Sequence, residues 1–259
     1  MRAFQDDPLL GYRSHDHRIF VDTGPVLEKA YAQAAGLGWL AKNTLLINRK
    51  WGSWVFLAVV LTPLDLARDE PGVDHCGSCR RCLDACPTDA FPEPYVLDAG
   101  RCIAHWTIEA TEPERWIEPD TLGQHVFGCD ICQEVCPWNS EPRARSEEAL
   151  APRQENIFPE LSELASLSAE SFAARFPQSP IKRAGFRGLL RNTIIALGNS
   201  TPEKGLGLLE ELAGRDDIRS DPLLSGTLER ARSRIVAGDT GSDYADDSGS
   251  ENGPGREDL

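Results

Sequence analysis

The run Cys76-Gly77-Ser78-Cys79-Arg80-Arg81-Cys82-Leu83-Asp84-Ala85-Cys86-Pro87 places three thiols in one tight loop and a fourth just ahead of proline. A second run, Cys129-Asp130-Ile131-Cys132-Gln133-Glu134-Val135-Cys136-Pro137, repeats that ending, and Cys102 lies between them; these are all eight cysteines of the chain. A cubane 4Fe-4S cluster needs four thiolates, and a CxxCxxC loop offers three while the fourth comes from afar. In the two-cluster pattern the cysteine before proline in each run serves the other cluster, so the runs interlock. One cluster is thereby assigned to Cys76, Cys79, Cys82 and Cys136. The second run lacks its leading cysteine, and Cys102 is the thiol left to supply it, giving Cys86, Cys102, Cys129 and Cys132.

Two blander readings compete. Disulfides fit poorly, because close CxxC pairs on an acidic chain without a secretory leader do not resemble a secreted scaffold. Structural zinc would also consume four thiolates per site, but zinc ribbons use paired CxxC knuckles rather than a three-cysteine loop with a distant fourth before proline. The expected chemistry is redox.

The chain has 259 residues, 41% of them hydrophobic, enough for one large or two modest domains with a real core. No apolar run reaches membrane-spanning length; the longest, Trp54 to Leu61, reads as a buried strand. A reducing compartment is needed to assemble clusters, so a cytoplasmic protein without membrane association is expected. The net charge of −14 argues against nucleic-acid partners on average, yet it is uneven. From Gly238 to Leu259 there are seven acids and one arginine among Gly and Ser, the composition of a disordered tail. Between Arg175 and Arg191, in contrast, stand Arg175, Lys182, Arg183, Arg187 and Arg191 without a single acid. A solvated helix face would explain them too, but a local basic patch on an acidic protein is the sharper reading.

The fold class expected is α+β, in blocks. In residues 1–66, Arg18 to Asp22 reads as a strand and Thr23-Gly24-Pro25 as the start of a helix ending before Gly36. Thr44 to Asn48 and Ser53 to Leu61 flank a turn, which predicts a hairpin on a mixed sheet. Residues 67–150 form a ferredoxin-type two-cluster block of short helices and loops. In residues 151–237 the candidate helices are Ser168 to Phe176, Arg183 to Leu197, Thr201 to Ala213 and Asp221 to Val236, a HEAT-like stack. Residues 238–259 are the acidic tail.

Several segments then point further. Val21-Asp22-Thr23-Gly24-Pro25, Gly36-Leu37-Gly38-Trp39 with Lys42-Asn43-Thr44, Phe127-Gly128-Cys129-Asp130-Ile131-Cys132, and Lys182-Arg183-Ala184 through Leu189-Leu190-Arg191-Asn192, in this order around the cysteine array, resemble epoxyqueuosine reductase. The resemblance runs from about His17 to Asn199. It implies an enzyme that takes the epoxide oxygen from epoxyqueuosine in tRNA to give queuosine, the last step of that modification. It also implies cobalamin beside two 4Fe-4S clusters, fed by an external electron donor, in a protein expected to be monomeric. Residues 1–66 would then be the remaining part of a cobalamin-binding catalytic domain, and residues 151–237 a tRNA-binding domain.

By the same resemblance Asp22 matches the family's proton-donor aspartate, a role that needs a carboxyl kept protonated by burial. Read bare, an Asp before Thr-Gly-Pro is a helix N-cap. Lys42, Asn43 and Leu46 should line the cobalamin site, with Cys129 and Asp130 where the second cluster meets the corrin; Lys42-Asn43 alone could be turn residues. No histidine is expected to ligate cobalt. Lys182, Arg183, Arg187 and Arg191 would give phosphate contacts to an anticodon stem-loop, positioning it without reading bases. After Cys102 the family commonly shows Ile-Ser-Tyr where this chain has Ile103-Ala104-His105, leaving Trp106 and Glu109 as candidates for the pocket edge. Family members also carry roughly a hundred more residues ahead of the VDTGP segment, so a partial cofactor domain is expected. The competing functions are a two-cluster ferredoxin-type electron carrier and an inactive truncated reductase. A reductive dehalogenase also pairs corrinoid with two clusters, but usually follows a twin-arginine leader and needs no basic helical platform.

Overall fold

In the computed structural model, residues 17–238 are described except 23, 111–118, 141–152 and 154–155. The acidic tail and the lead-in before His17 therefore lie outside the described residues.

Two small antiparallel sheets carry the first block. β1 (Arg18–Phe20) pairs with β4 (Val59–Leu61), Ile19 opposite Val60, while β2 (Trp39–Leu40) pairs with β3 (Leu46–Ile47), Trp39 opposite Ile47. Between β1 and β2 runs α1 (Glu28–Ala34). It starts later than Thr23-Gly24-Pro25 predicts. Asp22 takes a positive φ of 61°, and Val26 N–H donates to the Gly24 carbonyl at 2.8 Å, so a tight turn occupies the place of a first helical turn. Gly24 is required there, since a Cβ would sit 2.3 Å from the Phe20 ring.

The expected hairpin is corrected to a single bridge, Asn48 to Gly52. Asn48 Oδ1 accepts from the Lys50 and Trp51 backbone N–H groups and closes the turn. Beyond it, Ser53 N–H donates to Asn139 Oδ1 and the Ser53 hydroxyl to Gln133 Oε1, so the second cysteine run captures the chain before it can pair as a strand. Residues 53–60 keep a period-two alternation of half-buried and exposed positions. Trp54 to Leu61 is not the buried strand expected: only its last three residues pair, and Phe56 is 88% exposed.

The cysteine block folds as short helices and loops. α2 (Arg81–Asp84) and α4 (Ile131–Glu134) each carry the last cysteine of a CxxC pair, and α3 (Ile103–Ile108) begins directly after Cys102. Then come α5 (Leu161–Ala165), α6 (Ala169–Arg175), α7 (Gly185–Gly198), α8 (Pro202–Ala213), α9 (Asp216–Arg219) and α10 (Pro222–Ala237). Ser168 caps α6 in a reciprocal capping box with Ser171, and Asp221 with Pro222 starts α10; such a cap contributes about 1 kcal/mol.

α7 is the hinge of the architecture because both its faces are buried. Leu190, Ile194 and Leu197 join Leu209, Leu228 and Ile235 in the largest apolar core. Close approach to α10 depends on Gly198, where a Cβ would lie 2.7 Å from that of Ala231. The other face, through Arg191, Asn192 and Ile195, meets the cysteine block. No helix among the described residues is long and apolar enough to cross a membrane.

Candidate two-cluster metal centre

Cys76, Cys79, Cys82 and Cys136 border one recess, together with Ala41, Asn43 and Trp138. The chain reaches this arrangement by anchoring the first cysteine loop on the strand block. Lys42 Nζ donates to the carbonyls of Gly77 at 2.7 Å and Cys79 at 2.8 Å, and Asp74 Oδ1 accepts from Cys76 N–H. Asn43, 2% exposed, donates from Nδ2 to the Cys132 carbonyl at 3.2 Å and accepts from Leu45 N–H. One buried amide thus ties β2–β3 to the second run.

Cys86, Cys102, Cys129 and Cys132 form the other neighbourhood. Burial pushes the Cys129 thiol up to about 11, with Cys102 and Cys86 adding charge repulsion. Burial likewise lifts Cys132 to about 12, helped by Cys129, Cys82, Cys102 and Cys86. On the first side burial takes Cys82 to about 11, assisted by Cys136, Cys76 and Cys79. Cys82 of the first group also repels the charge on Cys132, so the two groups lie side by side. Thiols this reluctant to ionise hold their protons until a metal displaces them.

All eight are free cysteines, so none is spent in a disulfide. No three Cys, His, Asp or Glu side chains among the described residues are placed to hold a single metal ion. Zinc would require thiolates at about 2.3 Å from one centre. A 4Fe-4S cluster instead takes its four thiolates at the corners of a cage, and Cys76, Cys79, Cys82 and Cys136 border one recess together.

α7 and α3 build the seat of the second group. Arg191 is 2% exposed and donates to the carbonyls of Trp106 and Ala110 and to Asn192 Oδ1. Asn192 Nδ2 donates to the carbonyls of Thr107 and Val126, and Thr107 Oγ1 accepts from Gly128 N–H at 2.9 Å. The residue before Cys129 is thereby fixed by a chain of buried polar contacts. Trp106 is buried and donates to the Gly100 carbonyl, so it belongs to this support rather than to a pocket edge.

The basic run is corrected in part. Arg191 points inward, because helical spacing that reaches the interior of α7 must bury whatever stands there, and backbone carbonyls satisfy its guanidinium. Arg187 pairs with Asp221, whose carboxyl that guanidinium holds below the usual range. Lys182 and Arg183 are exposed. Arg183 bridges two acids far apart in sequence, Nε to Glu109 Oε1 at 2.8 Å and Nη1 to Asp22 Oδ2 at 3.4 Å. Asp22 is 72% exposed, so the burial expected for it is not present here. Asp130 is exposed, accepting from Gln133 Nε2.

Residues named for cobalamin divide accordingly. Asn43 and Leu46 are buried, and Lys42, half-buried, is committed to the cysteine loop. Asp22, Glu109 and Asp130 have exposed carboxylates, open to a bound group, and Arg183 ties the first two together. Sequence reading missed Trp39, Thr107, Asn139 and Asn192 as site builders; only the Gly38-Trp39 and Arg191-Asn192 segments carried any signal.

Residues 75–139 match the family description "4Fe-4S double cluster binding domain". The described geometry and this match together define an iron-sulfur protein with seats for two 4Fe-4S clusters. The chain is 46% identical over 206 residues to the epoxyqueuosine reductase of Pseudomonas aeruginosa, covering 79% of this chain and 56% of that one. With the Escherichia coli epoxyqueuosine reductase it shares 39% over 229 residues, 86% of this chain and 60% of the other. Among solved structures, an epoxyqueuosine reductase bound to a tRNA stem loop modified with epoxyqueuosine superposes with a TM-score of 0.76 at 34% identity, covering 85% of this chain and 58% of that one. The Bacillus subtilis enzyme, with its catalytic aspartate loop swung out of the active site, gives 0.77 at 32% identity, over 88% of this chain and 60% of that one. Over the part it spans, the chain is similar in sequence and in fold to epoxyqueuosine reductases. It spans a little over half the length of these relatives.

Proposed function

We propose that this chain reduces epoxyqueuosine in tRNA to queuosine, with electrons from an external donor. The observation that carries the reading is the pair of cysteine foursomes, adjacent at Cys82 and Cys132, in a chain whose Arg183, Glu109 and Asp22 gather charged groups from three separate blocks. Removing the epoxide oxygen as water and leaving a double bond consumes two electrons and two protons. In this reading residues 67–150 hold two 4Fe-4S clusters, Cys76, Cys79, Cys82 and Cys136 for one and Cys86, Cys102, Cys129 and Cys132 for the other. They supply one-electron transfer between donor and active site. Cobalamin, when bound, supplies a strongly reducing cobalt. Asp22, Glu109 and Asp130 are the residues of this chain that would face it, with Lys42, Asn43 and Leu46 fixing the backbone behind.

Asp22 gives the proton to the departing oxygen. A carboxyl does this near neutral pH only when shielded from water, so the bound substrate must cover Asp22 and draw it from Arg183. Lys182 and Arg183 contact tRNA phosphate, which positions the anticodon loop without reading bases. Arg187 is spent on Asp221 at the start of α10. A monomeric cytoplasmic protein, a first block that contributes part of the cobalamin domain and a HEAT-like helical block for tRNA complete the reading.

The test is turnover of epoxyqueuosine-tRNA by protein reconstituted with iron, sulfide and cobalamin without oxygen. Asp22→Asn should keep the wild-type iron content and lose at least ~100-fold in turnover, the scale of a general acid. Loaded wild-type protein that accepts electrons but leaves the modified tRNA unchanged would reduce the chain to an electron carrier.

A further inference from the structure

Trp39 is 1% exposed, yet its indole N–H must find an acceptor, since a buried unpaired donor costs about 1–3 kcal/mol. The acceptor is the sulfur of Cys76, at 3.4 Å. The indole is held there from several sides. Trp138 and His75 both lie edge-on against it, with centroids 5.0 Å away. Leu40 N–H donates to Gln33 Oε1, and Gly72 N–H to the Gln33 carbonyl, which fastens β2 to the segment leading into the first cysteine loop. Gly72 meets Gly38 backbone to backbone, where a Cβ would lie 1.7 Å from the Gly38 carbonyl oxygen. So close an approach brings residues 72–76 under the indole.

A donor aimed at a cluster sulfur stabilises the more negative, reduced state and raises the potential, one of the levers that set iron-sulfur potentials over a wide range. Both foursomes receive backbone donors: Lys42 to Cys76 and Trp138 to Cys136 in the first, Ile131 to Cys129 in the second. In the second, Ala90 N–H also reaches Cys86 at 3.3 Å, and the Thr88 hydroxyl lies 3.5 Å from the same sulfur. A rigid, water-excluded indole donor belongs to the first foursome. We propose that Trp39 is a potential-setting residue: its hydrogen bond to Cys76 raises the potential of the cluster seated by Cys76, Cys79, Cys82 and Cys136. That cluster is the better electron acceptor for it. The inference rests on the cluster assignment, not on the substrate.

The experiment is redox titration of oxygen-protected, reconstituted protein followed by electron paramagnetic resonance. In Trp39→Phe, iron and sulfide content should stay at the wild-type level while one of two reduction steps moves to lower potential and the other stays. Both steps unmoved would overturn the proposal, and so would an equal shift of both. Should Trp39→Phe fail to load, wild-type protein with nitrogen-15 in its indole rings decides the matter. A nitrogen-15 coupling to the reduced cluster is expected, and its absence from both cluster signals contradicts the hydrogen bond. Failure of the cluster assignment itself would appear separately, as an iron content below that of two clusters.

Discussion

The two cysteine foursomes are seated on different neighbours. The first leans on β2 and β3, where Trp39, Ala41 and Ile47 share a small core with Cys136 itself. The second leans on α3 and α7, with Ile103, Trp106, Leu122 and Ile195 packed against Cys129. A ligand that is also a core residue ties the first seat's folding to its metal, whereas the second inherits rigidity from a helix that belongs to a large apolar core of its own. The seats should therefore fail independently, one through its metal and one through its scaffold.

The strongest break of that comparison is Cys102→Ser. It should remove one cluster and leave the other, lowering iron from about eight to about four per chain, as read by iron analysis; an unaltered count would show that Cys102 is not a ligand. Next comes Arg191→Met, which takes away the guanidinium that donates to the Trp106 and Ala110 carbonyls. The expected loss is about 2–4 kcal/mol of stability, measured by denaturant unfolding, with hydrogen exchange rising at α3 before it rises at β2–β3. A smaller effect separates the helical region from both seats. Arg187 depresses the pKa of Asp221, so that pair adds stability above the ordinary aspartate pKa of 3.8 and loses it as pH falls through the lowered value. Wild-type protein should exceed Asp221→Asn in stability at neutral pH, with the gap closing at more acidic pH, in parallel unfolding curves. A gap independent of pH would make Asp221 a cap for α10 and nothing more.

These differences were unequally legible in the chain. Cysteine spacing and the Pro endings declare a cluster site because ligand geometry constrains sequence locally, helix starts at Ser168 and Asp221 follow from cap chemistry within a few residues, and the start at Thr201 follows from Pro202 in the first turn. The hairpin failed because Ser53 is claimed by Asn139 and Gln133, partners far away in sequence that no local pattern announces. Arg191 misled for a related reason. A basic stripe at helical spacing looks solvated until the second face of α7 meets carbonyls of α3. Trp39 carried a motif signal, but that its indole reaches a cysteine sulfur depends on two glycines meeting across separate segments.

Metal content of protein purified without oxygen tests the central claim most directly. Iron and acid-labile sulfide near eight each per chain, with negligible zinc, is the result expected for two interlocked cubanes. Stoichiometric zinc with no sulfide would contradict it.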